Sequence, residues 1–241
     1  MATVSSAAKT RVSLVPWDPT SPDHVERLFQ QRIACGWDSE LVEGWRVEQQ
    51  TGSLNLQWVV LESSDSETAA KLLKHTENQP RENMPLIDSA RSFAGKPRAI
   101  PQPQTSFVPV GHICLGHVPA HYDDENASFA EDGLWISSFY VLRAIQSNGL
   151  GRAAMDTAET IAISEPLNAK NLGLNAISKM DVDQAEKYTA LNLPIPKFST
   201  QEWYERRGYQ TYRYIPKELS QADSTGRTWY WDTVCLKKNI V

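Results

Sequence analysis

The sequence is poor in cysteine. Cys35, Cys114 and Cys235 are odd in number, widely spaced and never in a CxxC pair. They make neither a disulfide framework nor a cysteine-ligated metal site, and read as buried thiols in a reducing compartment. Long apolar runs are missing too. Nothing approaches the roughly 20 residues that span a bilayer, and MATVSSAAKTR at the start has no apolar signal core. The expectation is a cytoplasmic chain, with the nucleus also open, and no membrane partner. Positive charge is not in excess: 24 Lys and Arg face 29 Asp and Glu, a net charge of −5. No nucleic-acid partner is expected, and an anionic ligand would need a local site. There is no internal repeat.

What remains is ordinary globular composition, 41% hydrophobic and 22% charged over 241 residues. That length buries a core without disulfide staples. A single domain over 1–241 is expected, as a monomer or homodimer, with insertions at about 63–107 and 180–198.

The elements follow from periodicity and punctuation. Arg11–Val15 alternates and ends at Pro16, which predicts a strand. Ser21, Pro22 and Asp23 are helix-start chemistry, and Val25, Leu28, Phe29 and Ile33 form an apolar stripe closed at Gly36. Ser39–Gln50 predicts a second helix and Leu54–Glu62 a strand. Residues 63–107 hold five prolines and one helix-like piece, SETAAKLLKH, and read as a surface insertion, partly mobile. Strands are predicted at Val108–Val118, Leu134–Leu142 and Leu172–Ser178, with a helix over Gly149–Ile163 between the last two. Met180–Phe198 reads as a second insertion with its own short helix. A helix over Thr200–Arg207 and closing strands Tyr209–Ile215 and Trp229–Lys238 complete the chain. Neighbouring strands mixed with crossover helices indicate an α/β mixed sheet, not a doubly wound one.

The junction VLRAIQSNGLGRAAMDTAE, Val141–Glu159, carries the chemistry. A strand, two glycines and a helix meet there. Unpaired N–H groups at the helix start and glycines that let a ligand reach the backbone suit phosphate. Arg152 opposes the helix dipole but favours an anion. A tight turn without a ligand has the same appearance. Gly149–Ala154 also fits the dinucleotide pattern GxGxxA. That pattern wants an acid about 20 residues on, and Asn168–Lys179 has none.

The same segment resembles the acyl-coenzyme-A motif of the GCN5-related N-acetyltransferase (GNAT) superfamily, V-x-x-x-x-(Q/R)-x-x-G-x-(G/A). Val141, Gln146, Gly149 and Gly151 fill its fixed positions. Trp203–Tyr209 is similar to the family's F-Y-x-x-x-G-F segment, and Asp232–Lys238 to its last strand. The resemblance implies a mostly antiparallel twisted sheet with a splayed strand pair. It implies acetyl-CoA as cosubstrate, an amine acceptor and no metal. Phe139, Tyr140 and Val141 would meet pantetheine. Gln146, Ser147, Asn148, Gly149, Leu150, Gly151 and Arg152 would hold the pyrophosphate, the Gln146 backbone included. Tyr204 would protonate the leaving thiolate, its other reading being a packing aromatic.

A backbone N–H near Val141 or Leu142 would polarise the thioester carbonyl. The general base stays open among Ser137, Ser138, Glu131, Asp132, Glu62 and a water relay. Asp38 or Glu40 would attract a cationic amine, with Trp37 and Trp45 as core or lid. On a regular strand His112 and His117 face opposite sides, against a metal site. A non-catalytic acyl-CoA-binding module and an NAD(P)-dependent oxidoreductase are the alternative functions.

Overall fold

The computed structural model describes residues 10–123, 129 and 132–241. The sequence start and Glu131 lie outside them. The chain divides into two compact units, Met1–His117 with Ser137–Asn168, and Val118–Ile136 with Ala169–Val241.

The first unit begins with β1 (Arg11–Pro16), α1 (Pro22–Cys35), α2 (Val42–Thr51) and β2 (Leu54–Ser63). The 63–107 insertion follows, with α3 (Ser66–Asn78) and the two-residue strands β3 (Leu86–Ile87), β4 (Ser92–Phe93), β5 (Lys96–Pro97) and β6 (Ser106–Phe107). Then come β7 (Pro109–Gly116), the second half of β8 (Gly133–Val141) and α4 (Leu150–Ala162). β2 pairs antiparallel with β1 and with β7. Its alternation sends Leu54, Leu56 and Trp58 into one core with Trp17, Leu28, Val42, Trp45, Leu86 and Cys114. Small residues let α4 lie close to strands: Ala154, Ala158 and Ala162 are buried with Leu150 and Met155.

Two expectations for this unit are corrected. The buried face of α1 is not the apolar stripe. It is His24, Arg27, Leu28, Gln31 and Arg32, while Phe29 and Ile33 are 37% and 52% exposed. The helical spacing was right, but the face is polar because its partners are backbone carbonyls and polar side chains. Nor is the insertion a loose loop. Arg27 donates to the carbonyls of Arg81, Glu82 and Met84, His24 Nε2 meets the Ile87 carbonyl at 3.0 Å, and Ser89 donates to Asp18. Arg98 forms a bidentate pair with buried Asp88, both contacts 2.7 Å. Buried α1 polar groups thus hold a segment whose own composition promised little order.

Two histidines of this unit are buried. Nδ1 of His24 accepts from Trp58 Nε1 and from the Asp18 amide, each at 3.1 Å, so its proton is on Nε2. His112 Nδ1 lies 2.8 Å from Gln31 Oε1, whose amide nitrogen donates to Pro109 O. Nδ1 of His112 therefore carries the proton, and Nε2 faces Arg32 at 3.4 Å. Burial lowers both pKa values, with Arg32 adding to the effect at His112. Asp18, Asp23 and Asp88 pull His24 the other way.

A pH dependence of stability follows. Below the unfolded value near 6.5 the unfolded chain binds protons that the folded imidazoles refuse. This contribution is fully present above about pH 6.5 and is lost as pH falls toward the folded values. Its limiting slope is about 1.4 kcal/mol per pH unit for each histidine. Urea unfolding at pH 8, 6.5 and 5.5 should show the loss, and replacing both histidines with glutamine should flatten it. A slope unchanged by the double substitution would assign the acid sensitivity to other groups.

The second unit holds the first half of β8, β9 (Asn171–Ile177), α5 (Ala185–Ala190), α6 (Thr200–Glu205), β10 (Gln210–Ala222) and β11 (Thr228–Asn239). β8 pairs parallel with β9, β9 antiparallel with β11, and β11 antiparallel with β10. The β8–β9 register runs from Gly133–Asn171 to Ile136–Leu174 and ends there, although both strands run on. This is the parting of two strands that the sequence resemblance implied. The closing hairpin is longer than the expected Tyr209–Ile215 strand. Pro216 reads as a stop, but a bulge between Ile215 and Leu219, with Lys217 at φ 54°, absorbs it and pairing resumes to Ala222. Antiparallel pairs together with the parallel β8–β9 pair, and helices packed on them, make the α/β mixed-sheet class.

Candidate acyl-coenzyme-A site and catalytic residues

Strand β8 delivers the site to the loop before α4. The Leu142 amide donates to Val110 O of β7 at 2.9 Å. The Tyr140 carbonyl lies so close to β7 that a Cβ at Gly111 would stand 2.1 Å from it. Strand alternation therefore turns the backbone groups of Phe139 and Val141 away from β7 and those of Tyr140 toward it. Of the three residues expected at pantetheine, Phe139 offers both backbone groups, Val141 its N–H, and Tyr140 neither. The Leu142 amide, expected to polarise a carbonyl, is already committed. The Tyr140 side chain is buried against the His112 ring, 5.6 Å away, and burial pushes its phenol up to about 12.

The loop itself is a cradle of amides. Gly149 caps α4 at φ 81°, a left-handed conformation that favours glycine, and Ser147 has φ 69°. Beyond Gly149 a Cβ would meet only Thr10 Oγ1, at 4.0 Å. Among the described residues, the amides from Ser147 to Arg152 donate to no acceptor, whereas those of Ile145, Gln146 and Ala153 do. The Gln146 amide bonds to Arg143 O, so it does not belong to the cradle as expected. Its side chain instead donates to Val141 O at 2.9 Å, tying the loop back to the strand end. Arg152 is exposed on the first turn. Six free amides at a helix start, beside a cation, suit a diphosphate.

Three anchors of this loop were invisible in the motif. Asn148 donates to Thr68 Oγ1 at 2.7 Å and accepts from Lys71 Nζ at 3.2 Å, both on α3, and its carbonyl accepts from Thr10. The insertion helix thus fixes the loop and brings a second cation. A polar helix without motif spacing carries no signal that it will reach a loop more than 70 residues away.

Tyr204 belongs to the second unit. It sits half-buried on α6, whose N-cap Ser199 accepts from the Glu202 amide. Its ring packs edge-on to Trp203 at 4.8 Å and Tyr209 at 5.7 Å. Its hydroxyl makes no hydrogen bond among the described residues. Burial raises its pKa, with Arg207 pulling it back in part, so the phenol stays protonated at neutral pH.

The open list of bases shortens. Asp132 is paired with Lys170 at 2.7 Å. Ser137 bonds to the buried Cys114 thiol, whose pKa burial pushes up to about 12. Ser138 has φ 51° and Glu62 is exposed. Asp38 is held by Arg32 at 2.8 Å, which leaves Glu40 as the exposed acid of that turn. Trp45 is core and stacks under Arg32, and the Trp37 carbonyl accepts from Arg32. Among the described residues no group of three or more His, Cys, Asp or Glu could hold a metal ion, and no helix is long and apolar enough to cross a membrane.

The Acetyltransferase (GNAT) family model matches residues 70–185, just under half of the chain. No curated protein matches the sequence. Among solved structures, Arabidopsis thaliana NAA60 in complex with a bisubstrate analogue is 11% identical, with 95% of this chain and 99% of that one covered and a TM-score of 0.52. The same protein in complex with acetyl-CoA is 12% identical, with 95% and 98% covered and a TM-score of 0.49. An aminoglycoside 6'-N-acetyltransferase complexed with coenzyme A is 13% identical, with 95% and 97% covered and a TM-score of 0.48. Residues 70–185 are similar to the GNAT acetyltransferase family, and the chain has the GNAT fold.

Proposed function

We propose that the protein transfers an acetyl group from acetyl-CoA to a primary amine. The observation that carries this reading is the cradle of six amides, Ser147–Arg152, unpartnered among the described residues and opening outward past Gly149 at the start of α4. The amides and Arg152 hold the pyrophosphate, with Lys71 nearby, and the Phe139 backbone pairs with pantetheine. The Val141 N–H, turned away from β7, polarises the thioester carbonyl. That carbonyl gains charge as the amine attacks, so a fixed donor stabilises the transition state more than the ground state. Tyr204 protonates the departing thiolate. No metal is required by these steps.

Acetyl-CoA should stabilise the fold by about 2.7 kcal/mol at 100 times its Kd, read as a thermal shift. Gly149→Asp should abolish that gain. A carboxylate at the cradle repels the diphosphate, and a side chain there is strained at φ 81°. A folded Gly149→Asp protein with unchanged acetyl-CoA affinity would place the phosphates elsewhere. A wild-type shift with NAD and none with acetyl-CoA would overturn the donor. A screen of primary amines, with release of free thiol as the readout, then tests turnover and finds the acceptor.

A further inference from the structure

A cavity of about 550 Å³ opens in the first unit and belongs to none of these assignments. It lies between β1, β2, the β4–β5 hairpin and the C-terminal end of α4. Its volume falls in the range of small-molecule sites. The walls are largely apolar: Leu14, Phe93, Ile161 and Pro166 line it, all half-buried. The hairpin wall is fixed, because it lies so close to the turn after α2 that a Cβ at Gly52 would stand 2.3 Å from the Gly95 nitrogen.

Two polar side chains at this cavity hold unused donors. Leu56 and Trp58 point into the core, so strand alternation turns Gln57 to the opposite face, beside Pro16. Gln57 is 2% exposed, and its Nε2 has no hydrogen-bond partner among the described residues. Buried amides are almost always paired, so an unpaired one at a cavity wall is a donor available to a ligand. The last torsion of glutamine is soft, and a small turn presents the N–H to the cavity. Arg98 is oriented by buried Asp88, which takes one hydrogen from each terminal nitrogen at 2.7 Å. Nη1 gives its second hydrogen to the Ala90 carbonyl at 3.1 Å. The Nε–H and the second Nη2–H donate to no group among the described residues. Those two form one edge of the planar guanidinium, parallel and spaced to grip both oxygens of a carboxylate.

We propose that this cavity binds a small monocarboxylate with an apolar body, as a second site apart from the acyl-coenzyme-A cradle. The free guanidinium edge takes the carboxylate, Gln57 donates to one of its oxygens, and the apolar walls cover the hydrocarbon. Charge selects the head group. Asp88 already neutralises Arg98, and at the rim Lys96 and Glu165 stand 3.9 Å apart and offset each other. A site with no net positive charge suits one negative charge spread over two oxygens, whereas burying a phosphate dianion there costs far more. The site is also remote from the cradle. α4 has 13 residues, about 20 Å at 1.5 Å per residue, with the cradle at its start and Ile161 near its end. The two sites therefore fill independently.

The test titrates the full chain with 4-phenylbutanoate and 4-methylpentanoate in a calorimeter, with and without saturating acetyl-CoA. At least one probe should bind saturably, with a Kd at or below about 1 mM. Its primary amide should bind about tenfold more weakly or worse, and inorganic phosphate should not displace it. Arg98→Lys keeps a cation for Asp88 but loses the fork, and should weaken the carboxylate by about tenfold or more. Gln57→Leu should weaken it too, while leaving the free protein at least as stable as wild type, because a buried unpaired donor is removed. Ser164→Trp, at an exposed position on the rim, should block binding and leave the acetyl-CoA thermal shift intact. No saturable binding of either probe overturns the proposal. So does equal affinity for acid and amide, or wild-type affinity in a folded Arg98→Lys, Gln57→Leu or Ser164→Trp protein. Displacement of the probe by acetyl-CoA places it in the cradle and overturns the second site. A wild type with no acetyl-CoA shift overturns the donor reading instead and leaves the probe titration decisive.

Discussion

Replacing Tyr204 with phenylalanine should lower kcat by about 10²–10⁴-fold and leave acetyl-CoA affinity close to wild type. Phenylalanine keeps the edge-on packing against Trp203 and Tyr209, so the change removes a proton and not a ring. The hydroxyl has no hydrogen-bond partner among the described residues, so its removal strands no buried donor. Burial raises the phenol pKa and keeps it in the donating form across the assay range, so loss of the Tyr204 proton does not limit the rate at moderately alkaline pH. The defect should shrink with acyl donors whose thiols are more acidic, because such thiolates leave with less protonation. Rates measured where chemistry limits turnover decide the matter. Near wild-type kcat would make Tyr204 a packing aromatic, and the proton would then come from water or from the acceptor.

The second large effect is on stability. Lys187→Met should destabilise the protein by about 3–5 kcal/mol. Lys187 and Asp181 form an ion pair with side chains only 3% and 2% exposed. The ammonium also donates to Tyr230 O at 2.6 Å and lies over the Trp231 ring at 4.2 Å. The other Asp181 oxygen accepts from the Asp232 amide at 2.7 Å, which ties the turn before α5 to β11. Methionine fills much of the lysine volume but leaves a buried carboxylate without its cation. Adding Asp181→Asn removes that charge while keeping an acceptor for the Asp232 amide, so the double variant should recover part of the loss. Urea unfolding midpoints give the comparison. A single variant within about 0.5 kcal/mol of wild type would show that the pair contributes little net stability.

Much of the molecule was legible in the sequence because the relevant signals are local. Alternation marked β2, with Leu54, Leu56 and Trp58 on one face, and a proline and a capping serine marked the start of α1. The order V-x-x-x-x-Q-x-x-G-x-G fixed the strand–loop–helix junction, since a left-handed glycine before a helix of small residues is dictated by backbone sterics. What the sequence could not decide depends on partners distant along the chain. The buried face of α1 is polar, because the carbonyls of residues 81–87 and the side chain of His112 complete it, and an apolar-stripe rule cannot see such partners. Gln146 looked like a cradle residue and is a clasp on Val141 O, a role set by the fold of the loop. Asn148 is positioned by Thr68 and Lys71, about 80 residues earlier. Local sterics and periodicity act between near neighbours and are written in the sequence. Hydrogen-bond satisfaction in a buried interior acts between groups that only the tertiary fold brings together.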